Sequence, residues 1–73
     1  MKFLSELSVG SESEVIRLHG KGANKRKLMD MGITKGTKIK IERFAPLGDP
    51  IQLKLRNYSM SIRKKEAENI EVK

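Results

Sequence analysis

The chain has 73 residues, carries 16 Lys and Arg against 9 Asp and Glu for a net charge of +7, and contains no cysteine. This length predicts a single domain over residues 1–73, and the absence of cysteine excludes disulfides, Cys-bearing zinc modules and thiol nucleophiles. No apolar run approaches the roughly 20 residues of a membrane span, and residues 1–10 lack the apolar stretch of a signal peptide. The expected location is therefore the cytoplasm.

The first third of the chain predicts a turn, a strand and a helix. Residues 3–7 form one apolar turn, helical in spacing, and residues 14–19 alternate as a strand that buries Ile16 and Leu18. Residues 24–31 have helical spacing. Asn24 is the expected N-cap of this helix, and Gly32 suits the left-handed position just past its end.

Four more strands are predicted in the rest of the chain, within residues 37–43, 51–55, 58–62 and 70–72, because apolar and polar residues alternate there. A two-residue loop at Arg56-Asn57 would join the middle two as a hairpin, with Asn57 supplying the positive φ. A one-residue slip in the pairing of these two strands would expose half of their apolar side chains. The predicted pairs are Leu55 with Tyr58, Leu53 with Met60 and Ile51 with Ile62.

These elements predict a mainly β fold: a small antiparallel barrel of about five strands, with one short helix between the first two strands. An SH3-like or an OB-like barrel would fit. The short helical turn expected at residues 63–67, just before the last strand, favours the SH3-like order.

Most of the positive charge lies between residues 20 and 43, where eight basic residues accompany two acidic ones. Such a segment is typical of a protein that binds a negatively charged partner, such as nucleic acid, an acidic protein face or a membrane surface. It is also typical of a protein whose lysines only keep its surface soluble. The basic patch comprises Lys21, Lys25, Arg26, Lys27, Lys35, Lys38 and Lys40.

Groups for catalysis or metal binding are scarce. His19 has no second His, no Cys and no carboxylate at metal-ligand spacing, so a solvent-facing strand position is expected. Glu12 and Glu14 lie at the exposed start of a strand, which is typical of solvated carboxylates. Asp30, Glu42 and Asp49 could offer oxygen ligands to ferrous iron, but their spacing does not bring them together. The sequence predicts a binding module with no enzymatic activity and no evident cofactor.

One loop stands out as a candidate contact site. In residues 45–50, Pro46 and Pro50 stiffen the chain, Gly48 lets it bend, and Leu47 is an apolar residue near the tip. A rigid loop that displays one apolar side chain loses little entropy on binding. The alternative is that Leu47 folds back and closes one end of the barrel.

Two stretches carry a resemblance to a known family. The run K-L-M-D-M-G-I-T-K-G-T at residues 27–37 and the run A-P-L-G-D-P-I at residues 45–51 resemble the FeoA family, small cytosolic proteins of the bacterial ferrous-iron uptake system. Residues 4–7 and the run S-I-R-K-K-E-A at residues 61–67 share this resemblance, which therefore covers nearly the whole chain. Asn57 departs from it slightly, since glycine is common at that turn.

The resemblance implies an SH3-like barrel that contacts the membrane GTPase-transporter FeoB, at the inner face of the membrane, and it implies no catalytic residue. Two alternatives remain: a basic barrel that binds nucleic acid, and a stand-alone relative of the SH3-like domain of metal-dependent repressors. The candidate partner-binding residues are Pro46, Leu47, Gly48, Asp49, Pro50, Met29, Asp30 and Gly32.

Overall fold

Six strands form one antiparallel sheet in the computed structural model, which describes residues 2–73. The strands are β1 (Lys2–Phe3), β2 (Glu12–Leu18), β3 (Lys38–Phe44), β4 (Ile51–Leu55), β5 (Tyr58–Ile62) and β6 (Ile70–Val72). Their order across the sheet is β1-β6-β2-β3-β4-β5. A 3-10 helix (Leu4–Glu6) follows β1, helix α1 (Gly22–Asp30) connects β2 to β3, and helix α2 (Lys64–Ala67) precedes β6.

The mainly β class is confirmed, with one strand more than predicted. The additional strand is β1, which has only two residues and is recognisable only through its pairing with β6. Two residues cannot show an alternation, so the sequence pattern indicated a turn for this part of the chain. Because β1 comes first, the predicted short helix lies between β2 and β3.

The core is built from the alternation that the sequence predicts. In β3, Ile39 and Ile41 are fully buried while Lys38 and Lys40 are exposed. In β4, all three apolar residues are buried. The turn at Leu4, helix α1 and the segment after it close the core with three further buried side chains, Leu4, Leu28 and Ile33.

The predicted hairpin between β4 and β5 is confirmed, residue by residue: Leu55 pairs with Tyr58, Leu53 with Met60 and Ile51 with Ile62. Two details differ. The positive φ is adopted by Arg56, at 30°, and not by Asn57. The β5 face is also less buried than expected, since 48% of the Tyr58 side chain is exposed. Tyr58 lies at the strand end, where its hydroxyl bonds the Met31 carbonyl.

The prediction that Ile16 and Leu18 share the buried face of β2 is wrong. Val15 and Leu18 are the buried residues, and Ile16 is half-buried. A β-bulge lies between Val15 and Arg17, where the pairing with β6 shifts register. A bulge inserts one extra residue and so re-aims the side chains around it.

Helix α1 begins two residues before the predicted start. Its N-cap is Lys21, which makes no side-chain capping hydrogen bond, so Asn24 lies inside the helix and does not cap it. The prediction for the end is confirmed in its essentials: Met31 is the C-cap and Gly32 follows with φ of 95°. Glycine is needed there because L side chains resist that angle.

Candidate functional site

The loop between β3 and β4 is held in a defined shape by its own backbone. The Ala45 N–H donates to the Pro50 carbonyl at 3.0 Å, and the Gly48 N–H donates to the Ala45 carbonyl at 2.7 Å. Gly48 adopts φ of 84°, an angle that glycine reaches without strain. Residues 45–50 therefore form a closed turn on top of the β3–β4 hairpin.

Asp49 fastens this loop to the start of α2. Its Oδ1 accepts a hydrogen bond from the Lys64 N–H at 3.0 Å, and its Oδ2 lies 3.9 Å from an Arg63 guanidinium nitrogen. The first N–H groups of a helix lack partners within the helix, and a carboxylate there also suits the helix dipole. Glu66 completes the arrangement by accepting from the Arg63 N–H at 2.8 Å. The loop is thus anchored at a second point.

Leu47 projects from this anchored loop into solvent, with 96% of its surface exposed. The alternative in which Leu47 closes one end of the barrel is therefore wrong. A large, nearly fully exposed apolar side chain on a rigid loop contributes nothing to the core, and it is available to a partner. Pro46 and Pro50 flank it and are also exposed.

The other predicted contact residues lie at the end of α1. Met29 is 48% exposed and Asp30 is exposed. Gly32 supports this helix end: the Tyr58 hydroxyl reaches over it to bond the Met31 carbonyl, so a Cβ at Gly32 would stand 2.7 Å from the hydroxyl oxygen. The helix end is thereby attached to the β5 end of the sheet.

The basic residues of the predicted patch are divided among several surfaces. Lys21 and Lys25 line a cleft that also contains Glu66 and Glu68. Lys38 and Lys40 lie on the outer face of β3, where Glu12 pairs with Lys40. Arg26 is exposed on α1. Lys27 makes an ion pair with Glu66 at 3.2 Å, and Lys35 lines a third groove together with Arg17.

His19 has a partner that its neighbours in the sequence do not reveal. The His19 Nε2 lies 2.7 Å from Glu71 Oε1, and the Phe3 ring stands edge-on to the imidazole at a centroid distance of 5.5 Å. Glu71 is 52 residues away in sequence, and only the pairing of β2 with β6 brings the two together. One imidazole and one carboxylate orient each other but provide too few donors for a metal centre.

Glu42, one of the three carboxylates considered as oxygen ligands, is engaged within the sheet. Its Oε1 accepts hydrogen bonds from the Ser59 hydroxyl at 2.8 Å and the Gln52 amide at 3.1 Å. These bonds, with the nearby charges of Lys54 and Lys40, lower the pKa of Glu42. Within residues 2–73, no three His, Asp or Glu side chains come together as metal ligands.

The described helices are short. None of them in residues 2–73 has the length and apolar character that crossing a membrane requires.

Comparison with known proteins gives a family model described as the FeoA domain, which matches residues 2–73. The Fe(2+) transport protein A/Fe(2+) transporter FeoB fusion protein of Porphyromonas gingivalis is 35% identical over 69 residues. That match covers 94% of this chain but only 8% of the fusion protein, so the chain spans a small fraction of that curated relative.

Solved structures of FeoA proteins are also similar to this chain. The FeoA-like protein from Clostridium acetobutylicum is 49% identical with a TM-score of 0.91, over 97% of this chain and 83% of that one. FeoA of Stenotrophomonas maltophilia, solved with zinc and described as a prokaryotic SH3 domain protein, is 25% identical with a TM-score of 0.86, over 100% of this chain and 91% of that one. A manganese-dependent transcriptional repressor, at 15% identity, shares the fold alone (TM-score 0.88, over 97% of this chain and 40% of that one). The SH3-like fold is confirmed.

Proposed function

Since this chain belongs to the FeoA family, we propose that it is a non-enzymatic accessory protein of ferrous-iron transport that contacts the cytoplasmic side of a FeoB-type GTPase-transporter. The exposed loop at Leu47 is the observation that carries this proposal. The chain itself then works in the cytoplasm, at the inner face of the membrane, through its partner.

The fusion protein of Porphyromonas gingivalis supports the choice of partner. There a segment similar to this chain and a FeoB transporter belong to one polypeptide. Linking two modules raises their effective concentration for each other without any new contact. A FeoA-like chain that is not fused to the transporter has to meet it through a surface of its own.

The loop of residues 45–50 is the best such surface. Leu47 supplies apolar area that is already exposed before binding, and the turn bonds and the Asp49 anchor keep it in place. Because the loop is ordered beforehand, less entropy is lost when it docks. Met29, at the end of α1, is a second candidate contact.

A contact role places no demand on catalytic groups of this chain. Among the described residues, His19 and Glu71 form a close imidazole–carboxylate pair, and no three His, Asp or Glu side chains come together as metal ligands. Ferrous iron is then the cargo of the transporter, and no iron site on this chain is required.

The proposal is tested by measuring binding of the purified chain to the cytoplasmic domain of the cognate transporter, with and without guanine nucleotide, for the parent and for Leu47→Asp. A charge at this position would have to be desolvated in an apolar contact, so we expect at least a roughly 10-fold weaker interaction. In a strain without the native protein, Leu47→Asp should fail to restore iron-dependent growth.

Val9→Asp is the matched control, because Val9 is another exposed apolar residue, at 57%. It should bind and support growth as the parent does. Thermal melts of both variants should match the parent, since neither side chain belongs to the core. Full binding and growth of Leu47→Asp would remove the loop from the functional account.

A further inference from the structure

A groove of about 290 Å³ lies between β2 and helix α1, apart from the loop that carries Leu47. Its lining includes Ile16 and Arg17 from β2, Lys25 and Met29 from α1, and Thr34 and Lys35 from the segment before β3. No residue of the β3–β4 loop lines it. Of the proposed transporter contacts, the groove includes Met29 but not the loop at Leu47, which carries that proposal.

The groove has apolar side chains that the core does not use. The β-bulge between Val15 and Arg17 turns Ile16 away from the core, so that it is half-buried and lines the groove. Met29 faces it from the helix and is 48% exposed. Bulges that re-aim a side chain are common beside binding sites, and a methionine adapts its shape to different partners.

The charges around these apolar side chains all have one sign. Arg17, Lys25 and Lys35 line the groove, and among the described residues no acidic side chain does. Within residues 2–73 none of these three cations forms an ion pair, whereas Lys27, on the same helix, pairs with Glu66. Lys25 also lines the cleft at Lys21, which contains Glu66 and Glu68, whereas the described lining of this groove contains no carboxylate.

Beside the groove, part of β2 has no partner strand on its β3 side among residues 2–73. The pairing of β2 with β3 ends at Glu14 and Lys38, and the Thr37 and Gly36 backbones extend it only to Val15. From Arg17 to Leu18 the described pairing of β2 is with β6, on its other side. An extended peptide can bond such an edge through its main chain while its side chains enter pockets.

We propose that this groove binds an extended segment of a partner protein in which an apolar side chain is flanked by acidic residues. The apolar side chain packs on Ile16 and Met29, and the carboxylates face Arg17, Lys25 and Lys35. The charge complementarity selects this occupant over a neutral or basic segment. The interaction goes beyond the transporter contact at Leu47 and does not depend on it.

The probe for the test is a blocked seven-residue peptide of sequence Asp-Glu-Leu-Asp-Ile-Glu-Asp, titrated into the full isotope-labelled chain and followed by amide chemical shifts. The largest shifts are expected at Ile16, Met29 and Lys35. In Lys25→Glu/Lys35→Glu the dissociation constant should rise about 10-fold or more, because two attractions become repulsions. Lys40→Glu/Lys54→Glu is the control, with the same change of charge on the outer face of β3 and β4.

Further measurements test the apolar anchor, the role of the groove and the identity of its occupant. A peptide with both apolar residues replaced by serine should bind more weakly, and equal binding would overturn the apolar anchor. If the two charge-reversal double mutants weakened peptide binding equally, only the net charge would matter, and the proposal that the peptide binds in the groove would be overturned. Shifts at the groove that depend on protein concentration without peptide would assign it to a second copy of this chain. Leu47→Asp should bind the peptide like the parent.

Discussion

Two glycines of this chain require positive φ for different reasons. Gly32, with φ of 95°, ends helix α1 under the Tyr58 hydroxyl, whereas Gly48, with φ of 84°, turns the Leu47 loop in open space. A Cβ would meet the Tyr58 oxygen at 2.7 Å in the first case and nothing within 4 Å in the second. Comparing alanine substitutions at the two positions therefore separates the free-energy cost of backbone strain from the cost of steric crowding.

We expect Gly48→Ala to lower the free energy of unfolding by about 1–3 kcal/mol through strain alone. Gly32→Ala should lower it by roughly a further 1 kcal/mol or more, because the new methyl displaces the Tyr58 hydroxyl from the Met31 carbonyl. Urea unfolding measures both losses. Adding Tyr58→Phe to Gly32→Ala removes the crowding oxygen, so the double mutant should recover part of the difference. Equal losses for the two alanine variants would contradict this account.

The lowered pKa of Glu42 predicts that the stability of the fold depends on pH. Hydrogen bonds from Ser59 and Gln52 to its carboxylate lower its pKa below the ordinary value of 4.5. Because the pKa is lower in the folded state, Glu42 stabilises the fold above about pH 4.5, and this contribution is lost as the pH falls through the folded-state pKa. Ser59→Ala removes the largest cause and should raise the pKa of Glu42, as followed by the chemical shift of its carboxyl carbon.

Ser61→Ala is the control for this prediction, since Ser61 lies two residues further along β5 and is also exposed. It should leave the titration of Glu42 where it is in the parent. Acid unfolding of Ser59→Ala should also show a weaker dependence of stability on pH below about 4.5. An unchanged Glu42 titration in Ser59→Ala would show that the Ser59 bond does not hold in solution.

At the scale of one element, β3 illustrates why alternation identified the strands. Ile41 is fully buried between two residues whose side chains lie on the outer face, and it pairs with Leu53 on the neighbouring strand β4. An antiparallel strand with one buried and one wet face must alternate in this way. Strand β2 departs from the pattern only where the bulge interrupts its pairing with β6.

Ile41→Ala should therefore lower the free energy of unfolding by about 2–5 kcal/mol, the usual range for a buried isoleucine. The neighbouring Lys40→Ala, on the exposed face, should change it by no more than about 0.5 kcal/mol. Urea unfolding with an unchanged dependence on denaturant measures both. A loss below about 0.5 kcal/mol for Ile41→Ala would mean that the two faces of β3 are assigned the wrong way round.

At the scale of the whole molecule, the net charge of +7 does not amount to one binding face. The cations are divided among the cleft at Lys21, the groove at Lys35 and the outer face of β3, and the first and last of these contain carboxylates as well. Tyr58, the exposed aromatic ring, has its hydroxyl engaged with the backbone. Binding of single strands usually needs stacking platforms beside the charge.

We expect binding to DNA or RNA to be weak and without sequence preference, because lysines that meet only phosphates carry no base readout. Its affinity should fall steeply between about 50 and 200 mM salt. Fluorescence anisotropy with labelled oligonucleotides of several sequences measures both properties. Submicromolar, sequence-selective binding at physiological salt would favour a nucleic-acid-binding barrel over the transport role.

The local features of this protein followed from its sequence. Alternation located β3, β4, β5 and β6, and the register of the β4–β5 hairpin followed from matching apolar faces across a two-residue turn. The motifs at residues 27–37 and 45–51 pointed to the FeoA family, and the family model confirms it. These inferences succeeded because they depend on neighbours within a few residues, whose spacing the sequence displays directly.

The features that only the tertiary structure decided all join distant parts of the chain. They are the pairing of β1 with β6, the contact of His19 with Glu71, the anchoring of Asp49 on Lys64 and the bulge that turns Ile16 into the groove beside α1. The exposure of Leu47 belongs with them, because a loop residue packs or projects according to what the rest of the fold places beneath it. No local spacing encodes such contacts, since they arise when the strands of one sheet curl around a shared core and bring remote side chains to the same edge.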